Sequence, residues 1–96
     1  MLSVLSQDFS RKYDVRNYRI EFYRVEDLYS YNIVIGLDNN KQVLGTYSSM
    51  ENAENVMMKM VEAEELQNSF DLTGKREFKI FVMPSDIEAK KLSENG

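Results

Sequence analysis

The feature that most constrains the fold of this chain is a regular alternation of apolar residues near its middle. In residues 31–37 every second side chain is large and apolar, which is the period of a strand with one buried face. The polar residues 38–41 follow and include two asparagines, which tolerate the positive φ that hairpin turns require. Residues 42–47 can then return as the partner strand. The sequence therefore predicts a β-hairpin at the centre of the fold.

The sequence predicts strands in three further segments. Residues 2–5 are short and mostly apolar, and a polar run ends them. Residues 18–25 alternate until Phe22, where Tyr23 takes the parity of the polar residues, which predicts a bulge or twist at this point. Residues 77–83 alternate again, and the proline that follows ends the strand.

Residues 49–66 predict the main helix, because apolar residues recur there at spacings of three and four while acids occupy the other side. Ser48 and Glu51 match the S-x-x-E capping box that begins many helices. The same pattern recurs at Ser85 and predicts a short terminal helix to about Leu92. The predicted core-facing stripe of the main helix comprises Met50, Ala53, Val56, Met57, Met60, Val61 and Ala63.

Together these elements predict an α+β fold that forms one domain over residues 1–96. An antiparallel sheet of about five strands, with the main amphipathic helix packed on one face, would bury every apolar stripe in two layers. The short C-terminal helix completes this arrangement. One face of the sheet is then free of the main helix.

The composition excludes the commonest catalytic and metal-binding constellations. The chain contains no histidine, no cysteine and no tryptophan. Histidine is the side chain that titrates near neutrality, cysteine is the usual thiol nucleophile, and both are the preferred zinc ligands. The three glutamates of residues 62–65 diverge around the predicted helix, and no glycine-rich phosphate-binding motif occurs. We therefore expect no enzymatic activity, no catalytic residues, no cofactor and no metal site.

The net charge of −4 is concentrated in one segment. Residues 48–71 carry six acids and one base, which disfavours a nucleic-acid partner because phosphates would be repelled. No apolar run reaches the length of a membrane span, and a chain without cysteine suits a reducing compartment, so we expect a cytoplasmic protein without a membrane partner. A basic cluster interleaved with acids predicts a mixed solvated surface; it comprises Arg11, Lys12, Arg16, Arg19 and Arg24.

The open face of the predicted sheet supplies candidate protein-contact residues. Tyr23 and Phe81 fall on the phase of their strands that points away from the helix, and Val34 and Met83 are predicted to share that face. Met58 lies among acids on the outer side of the helix. Exposed apolar patches of this kind mark interaction surfaces. Two alternatives stay open: another segment covers the patch, or two copies of the chain associate through it.

Residues 43–60 read VLGTYSSMENAENVMMKM, and shorter motifs flank them on both sides. The combination S-Q-D … L-G-x-Y-x-S-x-E-x-A … M-P resembles a pattern in small, largely uncharacterised proteins of Gram-positive bacteria and of their phages and mobile elements. The matching pieces are Ser6-Gln7-Asp8, Leu44-Gly45-Thr46-Tyr47, Ser49 with Glu51 and Ala53, and Met83-Pro84. The resemblance brings no catalytic residues with it. It implies a small, acidic, cytoplasmic accessory protein that binds another macromolecule.

These observations lead to one main hypothesis and two alternatives. The main hypothesis is a non-catalytic protein-binding accessory module, of phage or mobile-element origin, that acts on a host or defence protein. The first alternative is a nucleic-acid-directed role, through the basic cluster or through acids that imitate phosphate. The second is a small-ligand-binding protein that acts as an oligomer.

Overall fold

A computed structural model of the chain describes residues 2–37, 39–73 and 80–94, with the side chains of 67–73 and 93–94 outside that description. The described residues form strands and helices in the order β1 (Leu2–Leu5), β2 (Lys12–Val15), β3 (Arg19–Val25), β4 (Leu28–Ile35), β5 (Gln42–Tyr47), α1 (Met50–Thr73), β6 (Phe81–Val82) and α2 (Asp86–Glu94).

The predicted fold class is confirmed: the protein is α+β, with α1 packed on the strands and a short C-terminal helix. The described strands, however, form two sheets of three rather than one sheet of about five. Sheet A has the order β2-β1-β6, and sheet B has the order β3-β4-β5. The added strand is β2, which lies where the sequence predicted a polar connection and buries only Val15.

Sheet A joins distant parts of the chain. β1 pairs antiparallel with β2, so that Leu2 lies opposite Val15. On its other side β1 pairs parallel with β6, with Val4 opposite Phe81. The last strand therefore departs from the predicted antiparallel arrangement. Of the predicted residues 77–83, the structure places 81–82 in β6, and 77–79 lie outside the described residues.

Sheet B contains the predicted hairpin. β5 has the predicted bounds, whereas β4 begins at Leu28, earlier than predicted. Asp38, in the predicted turn between them, lies outside the described residues. The pairing of β3 with β4 is unbroken from end to end, so the bulge predicted within β3 is wrong. The irregularity lies between β4 and β5 instead, where Leu44 is the extra residue between two paired positions.

The N-cap of helix α1 lies one residue later than the capping box predicted. The backbone N–H of Asn52 donates to Oγ of Ser49 at 3.1 Å, so Ser49, and not Ser48, is the N-cap. The helix continues to Thr73, beyond the predicted end at residue 66. It contacts β1, β3, β4 and β5, and thus packs against both sheets.

One hydrophobic core lies between α1 and the two sheets. Met60 on α1 is fully buried, whereas Met50 and Val61 of the predicted stripe are each 44% exposed. The packed side of the helix is therefore narrower than predicted. The buried cluster comprises Leu2, Val4, Val15, Ile33, Leu44, Tyr47, Ala53, Val56, Met60, Met83 and Ala89.

The predicted capping box of the terminal helix is confirmed. Ser85 N–H donates to Glu88 Oε1 at 3.2 Å, and Glu88 N–H donates to Ser85 Oγ at 3.2 Å. The next residue, Asp86, joins this helix to α1, because its Oδ1 accepts from the N–H of Ser48 at 2.8 Å and from Nδ2 of Asn52 at 3.0 Å. Burial raises the pKa of Asp86, but these hydrogen bonds outweigh that effect and lower it below its ordinary value.

Candidate protein-interaction surface

The structure separates the five predicted contact residues into two groups. Tyr23 and Met58 are exposed, at 60% and 64%. Val34 and Met83 are buried, at 1% and 2% exposed, and Phe81 is half-buried against the core. The patch predicted on the open sheet face is therefore not assembled as predicted.

Val34 is buried because charged side chains cross its face of sheet B. Its cross-strand neighbours are Arg19 and Val43. Lys41 Nζ lies 2.6 Å from Glu21 Oε1, and Arg19 Nε lies 2.8 Å from Glu21 Oε2. Since β4 lies between β3 and β5, the Lys41–Glu21 contact must pass over β4. Hydrogen bonds from Lys41 and then Arg19 lower the pKa of Glu21.

Met83 is buried because it follows β6 into the core. Its backbone N–H donates to the carbonyl of Leu5 at 3.0 Å, which extends the parallel pairing beyond β6. Its side chain comes close to β5, since a Cβ built on Gly45 would lie 3.1 Å from Met83 Cε. The sequence pattern placed Met83 on an outer face because it assumed one sheet, whereas β6 belongs to sheet A and Met83 follows it into the core.

The strongest exposed apolar feature of the described residues is the closed end of the β3–β4 hairpin. We call this surface the hairpin end. Its large apolar side chains are between 53% and 79% exposed, and they are Phe22, Tyr23, Val25, Leu28 and Tyr29. Sequence reasoning identified only Tyr23 of these, although five of the eight residues 22–29 are large and apolar.

The hairpin end is exposed because β3 and β4 extend beyond their neighbour. The last residue of β5, Tyr47, lies opposite Tyr31, so β4 residues 28–30 have no partner from β5. The chain turns away there into α1. A tight turn at Glu26 and Asp27 closes the hairpin, and the φ of Glu26 is 56°. That positive φ matches the first turn position of a type II′ hairpin turn.

Aromatic rings strengthen one face of the hairpin end. The ring centroid of Phe22 lies 5.2 Å from that of Tyr31 and 6.2 Å from that of Tyr29, with tilted ring planes. The opposite face carries Tyr23 and the pair Val25–Leu28. Both faces of the hairpin end therefore present apolar surface.

The two edges of sheet B differ in their hydrogen bonding. At the β5 edge, Gln7 N–H donates to the carbonyl of Leu44 at 2.9 Å. The side chain of Gln7 donates from Nε2 to the carbonyl of Thr46 at 3.2 Å and accepts from Thr46 N–H at 2.8 Å. Gln7 thus occupies this edge as a strand residue would. Among the described strands, none lies beyond β3, so β3 is the free edge.

The resemblance motifs meet at a structural junction between the two sheets. The carbonyl of Pro84 accepts from Tyr47 Oη at 2.8 Å and from Gln7 Nε2 at 3.1 Å. A Cβ on Gly45 would lie 2.7 Å from Tyr47 Oη, which explains the small residue there. Burial, followed by the charges of nearby acids, raises the pKa of Tyr47. S-Q-D, L-G-x-Y and M-P therefore hold the two sheets together.

A polar groove with a volume of about 480 Å³ lies beside this junction, between the β1–β2 turn and β5. Its side chains bond mainly to each other. The Asp8 carboxylate accepts from the hydroxyls of Ser6 and Ser10, each at 2.7 Å, and from the Ser10 N–H at 3.0 Å. Hydrogen bonds from Ser10 and then Ser6 lower the pKa of Asp8 to about 2. This carboxylate stabilises a turn.

The predicted basic cluster is divided between the two sheets. Arg11 and Lys12 belong to the β1–β2 region, whereas Arg19 and Arg24 lie on β3. Arg24 Nε donates to the carbonyl of Glu26 at 3.0 Å. Within the described ranges, no three acidic side chains converge as metal ligands, and neither helix is both long and apolar enough to cross a bilayer.

Comparison of the chain with protein-family models, with curated proteins and with solved structures finds no match. A function is therefore inferred from the surface of the chain itself, above all from the hairpin end.

Proposed function

We propose that this protein is a non-catalytic protein-binding module whose contact surface is the hairpin end. One observation carries the proposal: large apolar side chains on a short, continuous stretch of two paired strands are each more than half exposed. Burying one such side chain in an interface contributes about 1.5–3 kcal/mol. A cluster of this kind, rich in tyrosine and phenylalanine, is typical of the anchors that dominate protein interfaces.

The hairpin end continues directly from strand residues that pack in the core. Below the exposed part, the same two strands contribute Ile33 to the core, and Tyr31 and Ile20 pack against it. Aromatic side chains have few rotatable bonds, so ordering them on binding costs little conformational entropy. A preorganised apolar surface therefore supports a binding role.

The sequence resemblance supports a proposal about the kind of partner. Accessory proteins of phages and mobile elements act by binding other macromolecules, and a host or defence protein of the cytoplasm is the partner class that we propose. Met58, on the outer side of α1, is the competing contact site, since it lies apart from the hairpin end.

Affinity capture with variant baits tests the proposal. We expect the unmodified chain to capture a partner from the cytoplasm of cells that encode it, and Leu28→Ser and Tyr29→Ser to lose that partner. Ile87→Ser is the matched control, because Ile87 is 71% exposed on α2, away from the hairpin. Unchanged far-UV circular dichroism would show that the variants fold. Capture that survives both hairpin changes but is lost in Met58→Ser would contradict the proposal.

A further inference from the structure

We infer that a groove along the free edge of β6 binds the C-terminal end of an apolar peptide, which pairs with Val82 as an added strand. The groove has a volume of about 460 Å³, within the range of roughly 300–1,000 Å³ that is usual for ligand sites. It lies beside sheet A and shares no residue with the hairpin end. This second site goes beyond the proposed function.

The groove runs along the edge of β6 and not over one face of sheet A. Successive side chains of a strand point to opposite faces, yet Phe81 and Val82 both line the groove. Among the described strands, β6 has β1 on one side and no neighbour on the other. Lys59 of α1 and Leu92 of α2 also line the groove, so the two helices bound the space beside this edge.

The pairing of β6 with β1 determines which backbone groups are free. The N–H of Met83 donates to the carbonyl of Leu5 at 3.0 Å, so Met83 directs its N–H towards β1. Because successive residues of a strand direct their backbone groups to opposite sides, Phe81 also bonds towards β1, whereas Val82 directs its N–H and C=O away from it. Within the described part of the chain, no hydrogen bond occupies these two groups. A free donor and acceptor on a strand edge are the groups with which an added peptide backbone pairs.

Apolar side chains beside these two groups favour an apolar peptide. Val82 itself is 46% exposed, and the lining also includes Phe81, Pro84 and Leu92. A peptide that pairs as a strand places alternate side chains against such walls, which is how added strands acquire specificity. A fatty carboxylate would cover the same walls, but it has no N–H for the carbonyl of Val82.

The charged side chains of the groove favour a carboxylate at the end of that peptide. Two lysines, Lys59 and Lys91, line the groove on a chain whose net charge is −4. Lys59 Nζ lies 3.4 Å from Glu62 Oε2, an exposed pair of the kind that contributes little stability, and Lys91 has no ion pair among the described residues. Glu88 also lines the groove, but its Oε1 accepts the N–H of Ser85 in the capping box. The lysines are therefore available to a carboxylate.

Titration of the isotope-labelled chain, followed by NMR, tests the inference. The probe is an acetylated pentapeptide of alternating valine and threonine that ends in valine with a free carboxylate. We expect the amide signals of the groove residues to shift and to saturate as the peptide reaches about 5 mM. The same peptide with a C-terminal amide should bind at least about fivefold more weakly, because it has no charge for the lysines.

Amide exchange shows whether the peptide binds as a strand. With the probe at saturation, the N–H of Val82 should exchange at least about fivefold more slowly, because it donates to the peptide. The N–H of Phe81, which already bonds towards β1, should change little.

Lysine variants supply the matched comparison. Lys91→Gln should weaken binding of the carboxylate peptide at least about threefold and leave that of the amide peptide unchanged. Lys12→Gln removes the same charge from β2, at the opposite edge of sheet A, and should leave both unchanged. Leu28→Ser, in the hairpin end, should bind the peptide as the unmodified chain does. Circular dichroism checks that each variant is folded.

Three results would overturn the inference: no saturable shift at about 5 mM peptide, equal affinity for the two forms of the peptide, or unchanged exchange at Val82 in the complex. Octanoate is the probe for a fatty carboxylate, and saturable binding of octanoate without binding of the peptide would reject the peptide as the occupant. The proposed function is judged separately. Loss of a captured partner in Leu28→Ser bears on the hairpin end alone, whereas loss of the peptide in this variant would contradict two independent sites.

Discussion

Gln7 shows how a single polar side chain can satisfy the backbone hydrogen-bonding groups at the edge of a sheet. Its amide group bonds to both backbone groups of Thr46, and its Nε2 also reaches the carbonyl of Pro84. An edge strand with unpaired backbone groups invites association with other chains, and natural proteins cover such edges. Gln7 thus occupies the β5 edge of sheet B, and among the described strands the β3 edge is left without a neighbour.

Removal of the Gln7 side chain should destabilise the fold. We expect Gln7→Ala to lower the free energy of unfolding by about 1–3 kcal/mol, because three hydrogen bonds are lost and Thr46 N–H loses its partner. Urea denaturation measures this effect. Gln42→Ala is the control, because Gln42 accepts one side-chain hydrogen bond, from Tyr13 at 3.2 Å. Equal losses in the two variants would contradict the role of Gln7.

Asp8 should make stability depend on pH in the acid range. Its pKa falls from 3.8 to about 2 in the folded protein, so the folded state binds fewer protons than the unfolded state between these values. The stability that Asp8 contributes is fully present above about pH 4 and is lost as the pH falls towards 2. We expect the urea midpoint of Asp8→Asn to change less over this range than that of the unmodified chain. Parallel curves for the two proteins would show that Asp8 makes no such contribution.

At the scale of the element, helix α1 shows how a capping position is decided by tertiary contacts. Both Ser48 and Ser49 precede the helix, and the S-x-x-E pattern selects the first of them. In the structure, the backbone of Ser48 bonds to Asp86 of α2, so Ser49 takes the capping position. The local pattern alone contains no information about α2.

A pair of alanine variants distinguishes these two serines. We expect Ser49→Ala to lower the free energy of unfolding by about 1 kcal/mol, because the N–H of Asn52 loses its acceptor. Ser48→Ala should cost less, because it keeps the backbone N–H of residue 48, which donates to Asp86 Oδ1 at 2.8 Å. Thermal denaturation of both variants measures the difference. A larger cost for Ser48→Ala would favour the cap predicted from the sequence.

The elements that could be predicted from the sequence are those that local patterns define. The hairpin of β4 and β5, the helix α1 and the capping box at Ser85 follow from periodicity and from residue types at fixed spacings. β2 was missed because its four residues bury little and show no long alternation. The division into two sheets was missed because the partners of β1 lie far apart in the chain.

The candidate site was only partly predictable for the same reason. The phase of Tyr23 in its strand indicated exposure, and the structure places it on the hairpin end. The burial of Val34 goes with an ion pair between Glu21 on β3 and Lys41, the residue before β5. The burial of Met83 depends on which sheet its strand joins. Neither fact can be obtained from the spacing of residues within one segment.

At the scale of the whole molecule, α1 makes two sheets into one cooperative unit. Met60 is fully buried on the helix side that packs against both sheets. The buried apolar cluster of the described residues combines side chains from α1 and from both sheets. A chain of this size that shares one core is expected to unfold in a single transition.

Truncation of the Met60 side chain should lower the stability of both sheets together. We expect Met60→Ala to lower the free energy of unfolding by about 2–5 kcal/mol, and to lower it equally for amides in β1 and in β4. Native-state hydrogen exchange at Val4 and Ile33 measures the two sheets separately, because both residues are fully buried. Loss of protection at Val4 alone would show that sheet A unfolds on its own.

The parallel pairing of β1 with β6 has a consequence for biosynthesis. One edge of β1 stays unpaired until residues 81–82 leave the ribosome, because β6 is the described strand that pairs with this edge. Sheet A can therefore close only after residues 81–82 have been synthesised, and loop closure over such a separation is slow. A nascent chain that stops short of β6 leaves one edge of β1 unpaired among the described strands.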